Sequence, residues 1–184
     1  MIRIAVLVAV ALLVLPATAS AQKRTLSISH FFGEFSGGGV AENEDSLYFA
    51  VTARDFDVVI GPAPAPNQGG FKVSWTSVIR GGGTVKKPKV RKKSTSRTFI
   101  ASARPGVFVG RTSGDPLSGK EMSWARIKEN NLIVYLMVID KEGAYQLQRY
   151  ERKLSGTGME LTFTRLKDGE KVRTVKGRLI KTGR

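Results

Sequence analysis

His30 is the only histidine in the 184-residue chain, so a haem ligand or an imidazole general base must be this residue. It stands directly before Phe31-Phe32, where an imidazole is ordinarily solvated or held by a backbone group. Asp55 and Asp57 are two apart and share a face if they lie on a strand, which would bring two carboxylates together for acid and base work. Arg54 beside them favours an ion-paired surface instead. Glu42, Glu44 and Asp45 could offer oxygen atoms to a calcium ion, but they match no calcium-loop motif, and Asn43 and Asp45 suit an ordinary hairpin turn. With no cysteine in the chain, disulfides, thiolate zinc sites, a cysteine nucleophile and a lipidated cysteine are excluded. No nucleophile has an adjacent base and no cofactor fingerprint is present, so the expected role is binding, with no catalytic residue, metal or cofactor assigned.

Two sets of residues carry that expectation. Trp75, Trp124, Tyr145 and Phe163 are candidates to line a cavity, with Arg126 on the face of Trp124 to orient a carboxylate or phosphate head group. Alternatively these aromatics fill the interior, with Arg126 or Arg178 packed over a ring at a closed end. The second set is Lys86, Lys87, Lys89, Arg91, Lys92 and Lys93, in a stretch over residues 81–96 that has three glycines and no acidic residue. It reads as a mobile basic hairpin tip able to dock on an anionic surface in a salt-sensitive way. No aromatic interleaves with these cations, so stacking on single-stranded nucleic acid has little support.

The surroundings follow from the amino terminus. Arg3, the apolar stretch from residue 4 to 15, and Ala19-Ser20-Ala21 before Gln22 have the layout of a secretory signal peptide over residues 1–21. The apolar run is too short for the ~20 residues that span a bilayer, so no transmembrane span is expected in the mature form, residues 22–184, which suits one domain. Export makes the protein periplasmic or secreted. The formal net charge of +15 then points to anionic envelope components rather than nucleic acid.

Past the leader, period-two stretches alternate with glycine, proline, asparagine and aspartate, and no sustained helical spacing occurs. Strands are expected over residues 31–42, 46–53, 56–61, 70–80, 97–103, 107–112, 122–129, 132–140, 144–153, 159–166 and 172–180. Tight turns such as Glu129-Asn130 and Asp168-Gly169 cannot make parallel crossovers, so the strands form an antiparallel up-and-down meander. Closing it into a barrel of about ten strands removes two exposed edges and encloses an interior. Phe71, Val73, Trp75, Ser77 and Ile79 are assigned inward, as are Met159, Leu161 and Phe163. Residues 132–139 are apolar on both faces, so something must cover the outer one. The proline-alternating stretch over residues 61–70 is expected as a flap at the barrel mouth.

Phe32-Gly33-Glu34-Phe35-Ser36-Gly37-Gly38-Gly39 resembles the Gly-x-Trp-x-Gly opening of the calycin-like (lipocalin-like) barrels, with Phe35 where the tryptophan stands. Asp140-Lys141-Glu142-Gly143-Ala144-Tyr145 resembles a turn entering a strand of that superfamily, and Gly177-Arg178-Leu179 sits where its late-strand arginine caps the barrel base. The resemblance implies an exported bacterial barrel whose interior holds a small hydrophobic or amphipathic molecule. The alternative is an envelope interaction protein whose barrel is inert and whose basic run and residues 132–139 meet a partner. If the leader is removed as read, amino-terminal sequencing of protein isolated from its native host begins at Gln22; a start at Met1 rules that out.

Overall fold

The computed structural model describes residues 25–43, 52–84 and 87–183, with the backbone alone at 42–43, 52–55, 79–84 and 87–89. Ten strands follow in order: β1 (Gly33–Asn43), β2 (Thr52–Pro62), β3 (Phe71–Thr84), β4 (Lys87–Ala101), β5 (Val107–Gly110), β6 (Met122–Lys128), β7 (Asn131–Ile139), β8 (Tyr145–Ser155), β9 (Gly158–Lys167) and β10 (Glu170–Gly183). Each pairs antiparallel with its neighbours in sequence, and β10 pairs with β1 to close the barrel. The fold is therefore all-β, a closed ten-strand up-and-down barrel. Two-residue turns set the register: Asp168 (φ 49°) and Gly169 (φ 88°) between β9 and β10 both occupy the left-handed region that such hairpins require. Among the described residues no helix is long and apolar enough to cross a membrane.

Closure brings β10 against β1 at very short range. A side chain at Gly37 would collide with the carbonyl of Arg178, and one at Gly39 with that of Lys176. The glycine run of β1 is thus needed for backbone approach at the seam.

One half of the barrel is solid. Phe71 stacks on Phe99 with ring centroids 4.9 Å apart and meets Phe108 edge-on at 5.1 Å. Phe31, on a 3₁₀ turn (Ile28–Phe31) preceding β1, is fully buried with them in the same core, as is Phe35. Leu26 N–H donates to Glu129 O (3.0 Å), fastening the segment before β1 to the β6–β7 turn at this closed end.

Four differences from the sequence reading have physical causes. First, β2 runs unbroken where a strand break at Arg54-Asp55 was expected, because these polar residues pair in register with Ile79 and Val78 of β3. Second, the supposed basic tip is mostly strand: β4 pairs with β3 back to Lys87, supported by hydroxyl bonds between Ser74 and Ser96 (3.0 Å) and between Thr76 and Ser94 (2.8 Å). A strand of lysine, arginine and serine lacks the apolar alternation that announces one. Third, the proline-rich loop joins β2 to β3 at the closed end, where Pro62 pairs with Phe71, and so is no flap at the mouth. Fourth, β5 stops at Gly110, two residues earlier than expected, because the chain turns there, Ser113 N–H donating to Gly110 O (2.9 Å). The outer face of β7 is partly covered as anticipated, with Ile133 buried and Tyr135, Met137 and Ile139 half-buried.

Phe71 is the centre of the solid half, so Phe71→Ala is expected to lower stability by about 3–5 kcal/mol in urea denaturation, the usual result of emptying a buried aromatic site. A loss under about 1 kcal/mol would show that this half is not close-packed.

Candidate functional site

Above the aromatic plug the barrel is hollow. A cavity of about 700 Å³ opens at the end opposite the 3₁₀ turn, within the range that holds small organic ligands. Its wall is apolar at mid-height, with Phe56, Val58, Trp75, Leu161, Phe163 and Val175. These positions follow from alternation, since Val58 pairs with Trp75 and Phe163 with Val175 across neighbouring strands.

Arg152 sits at the bottom of this space, fully buried. Its guanidinium lies 5.2 Å from the Trp75 ring centre and 5.5 Å from that of Tyr150. Nε and both terminal nitrogens have no hydrogen-bond partner among the described residues. Burial pulls its pKa down to about 10, against which the neighbouring Tyr150 acts in the opposite direction. Arg152 therefore stays cationic at neutral pH. Tyr150 is itself pushed up to about 12, chiefly by burial, and the guanidinium groups of Arg152 and Arg97 oppose that rise. Its hydroxyl donates to Gln148 Oε1 (2.9 Å) and, being neutral, brings no negative charge to Arg152. Trp75, Tyr150 and Phe163 form one aromatic cluster, with centroids 4.9 and 4.8 Å apart along the chain of contacts.

The mouth is basic. Arg91, Lys93, Arg97, Arg165 and Arg173 line it, and Glu121 is the only carboxylate among the described lining residues. Arg97 holds that carboxylate in a two-pronged bond, Nε and Nη2 donating to Oε1 and Oε2 at 3.1 Å each. Because β5 pairs with only Phe99, Ile100 and Ala101 of β4, the mouthward part of β4 has β3 on one side and, among the described residues, no strand on the other. The Arg97–Glu121 pair bridges that opening, since Glu121 immediately precedes β6. With the Gln146 amide turned so that its oxygen faces Arg165, that oxygen accepts from Nη2 (2.7 Å) and Nε (3.2 Å) of the arginine. Arg173 Nε is buried without a partner.

Of the residues singled out in the sequence, Trp75 and Phe163 line the cavity together. Trp124 and Arg126 do not, because β6 turns Ser123, Ala125 and Ile127 inward and leaves Arg126 exposed. Ala125 pairs with Phe108, and a side chain at Gly110 would strike the Ser123 hydroxyl, so the crowded interior admits only small groups there. Trp124 stacks instead on Tyr135, centroids 4.8 Å apart, on the outer surface. Tyr145 is exposed on the rim, its hydroxyl beside Gly169. Arg91, Lys92 and Lys93 of the basic run are all exposed, and of these Arg91 and Lys93 line the mouth; Lys86 and the side chains of Lys87 and Lys89 lie outside the described residues. His30 is exposed on the 3₁₀ turn at the closed end, its Nδ1 2.8 Å from Ser27 Oγ, far from the cavity mouth. Asp57 is exposed and accepts from Ser36 Oγ (2.7 Å); Glu44 and Asp45, like the side chains of Glu42 and Asp55, are outside the described residues. No cluster of metal-ligating side chains occurs among the described residues.

The sequence reading missed Arg152, Tyr150, Arg165 and Arg173. A signal existed for the first two. Counting back across the Gly156-Thr157 turn from the unambiguous inward set Met159, Leu161 and Phe163 puts Leu154, Arg152 and Tyr150 opposite them.

No family model matches the chain, and no curated protein matches it. Among solved structures it is similar to the S-type phycobiliprotein lyase CPES from Guillardia theta. The likeness has a TM-score of 0.39 and 9% sequence identity, over 85% of this chain and 93% of that one. The barrel assignment rests on this chain's own strand pairing.

A buried cation with no carboxylate opposes folding, so Arg152→Met, similar in length and apolar, is expected to raise the unfolding free energy of the unliganded protein in urea denaturation by about 1–4 kcal/mol. A large destabilisation would mean that the guanidinium has a structural partner.

Proposed function

We propose that this protein is an exported binder of a small amphipathic anion, which it holds in the open half of the barrel with an acidic group on Arg152 and an apolar body against Trp75, Phe163 and Leu161. The observation that carries this reading is the fully buried Arg152, three of whose nitrogens lack a protein acceptor at the bottom of an apolar cavity. Desolvating a guanidinium is unfavourable unless something charged and oxygen-rich meets it, and a ligand carboxylate, sulfonate or phosphate does so with paired hydrogen bonds. The cations at the mouth add a field that draws anions in and rejects cations. The leader supports a periplasmic or secreted setting. The docking reading has less behind it, since Arg91 and Lys93 belong to the cavity mouth rather than to a separate tip.

The anionic aromatic dye 8-anilinonaphthalene-1-sulfonate serves as the probe. It is expected to bind one-to-one, quench Trp75 and lose about tenfold or more in affinity in Arg152→Met, the scale of a charge-assisted hydrogen bond. Binding should hold level from pH 6 to 9 and weaken above about 10, as Arg152 loses its proton. Affinity unchanged by Arg152→Met would overturn the proposal, because that variant keeps the fold and the cavity.

A further inference from the structure

The cavity is charged at both ends and apolar between them. Arg152 pairs in register with Leu161 of β9, and Leu161 with Gly177 of β10. Arg165 lies four residues further along β9, and Arg173 four residues before Gly177 on β10, so both stand on the mouthward side of Arg152. Four residues of strand advance about 13 Å along the ribbon, or roughly 10 Å along the axis of a barrel with ordinary strand tilt. Phe163 and Val175 line the wall in the interval.

Both mouth arginines are short of acceptors. Arg165 meets the neutral oxygen of Gln146, which satisfies two of its N–H groups but none of its charge. Arg173 Nε is buried and unpartnered, and among the described residues neither arginine is within ion-pair distance of a carboxylate. Glu121, the one acid lining the cavity among the described residues, is already held on both oxygens by Arg97. An amphipathic monoanion seated on Arg152 would leave this second cationic pair facing its apolar tail, an unfavourable match.

Resting on the function proposed above, we infer that the preferred ligand class is a dianion with acidic groups at opposite ends of an apolar spacer about 10 Å long: one end inserts first and meets Arg152, the other stays at the mouth between Arg165 and Arg173. Entry is acid-first, since the apolar wall lies between the two cationic levels. The spacer is then gripped by the aromatic cluster while both acids are neutralised. Selectivity arises from the second acid, because a ligand lacking it leaves the mouth arginines uncompensated.

Isothermal titration of the intact mature protein with decanedioate and with its monomethyl ester, which has the same body and a single charge, tests this. The diacid is expected to bind about tenfold more tightly or better. The double variant Arg165→Gln with Arg173→Gln should weaken both ligands but the diacid about tenfold more than the half-ester, so that the advantage of the second acid disappears, with one-to-one naphthalene-sulfonate binding still detectable as evidence of fold. Arg152→Met should weaken both ligands. Equal affinity for diacid and half-ester, or failure of the diacid to bind while the naphthalene-sulfonate dye still saturates, overturns the two-anion inference alone. Failure of every probe to bind removes the underlying function as well.

Discussion

A single buried positive charge organises this protein. Arg152 is enclosed by the barrel wall with no carboxylate among the described residues to neutralise it, and its attraction to the faces of Trp75 and Tyr150 recovers only part of the hydration it has lost. A lysine in that place would shed its proton readily. The guanidinium, starting from a much higher pKa, remains cationic at neutral pH despite burial. The barrel interior therefore carries a permanent demand for negative charge. Every polar group near it is arranged without meeting that demand: Tyr150 donates to Gln148, and Glu121 is occupied by Arg97.

The same barrel has to be solid at one end to keep that charge desolvated at the other. Phe71, Phe99 and Phe108 fill the closed half, and Phe31 adds a further ring from outside the strands. Such packing supplies the stability from which an unfavourable buried cation can be tolerated. It also explains why the cavity begins where it does, since Val58, Trp75 and Leu161 are the first inward residues above the aromatic layer with open space over them. At the rim, the shortness of β5 breaks the wall between β4 and β6, and a two-pronged ion pair stands in for the missing ladder. Strand hydrogen bonds would fix that part of the wall more rigidly than one half-exposed ion pair does.

Much of the architecture was readable from turn chemistry. Asp168-Gly169 and Gly156-Thr157 dictate two-residue hairpins, and a succession of such links leaves only an antiparallel meander, whose natural completion is closure. The inward sets on β3 and β9 were legible because alternation there is clean. It failed on β4, whose pairing is held by serine and threonine hydroxyls and whose inward residues are cations. It failed again on β6, where aromatic size suggested Trp124 for the interior although Ala125 and Ser123 are what the crowded interior can accept.

The sequence by itself determined the strand count to within one, the antiparallel order, the absence of thiol chemistry and the identity of Trp75 and Phe163 as inward residues, because each depends on local periodicity or on composition. Which arginine is buried was decided by pairing between strands and not by the pattern of its own strand. β8 alternates two polar faces, Gln146, Gln148, Tyr150 and Arg152 against Tyr145, Leu147, Arg149 and Glu151, and nothing within the strand says which faces inward. Register against β9 chooses, since side chains opposite one another on paired strands share a side, and a shift of one residue would have put Glu151 where Arg152 now lies.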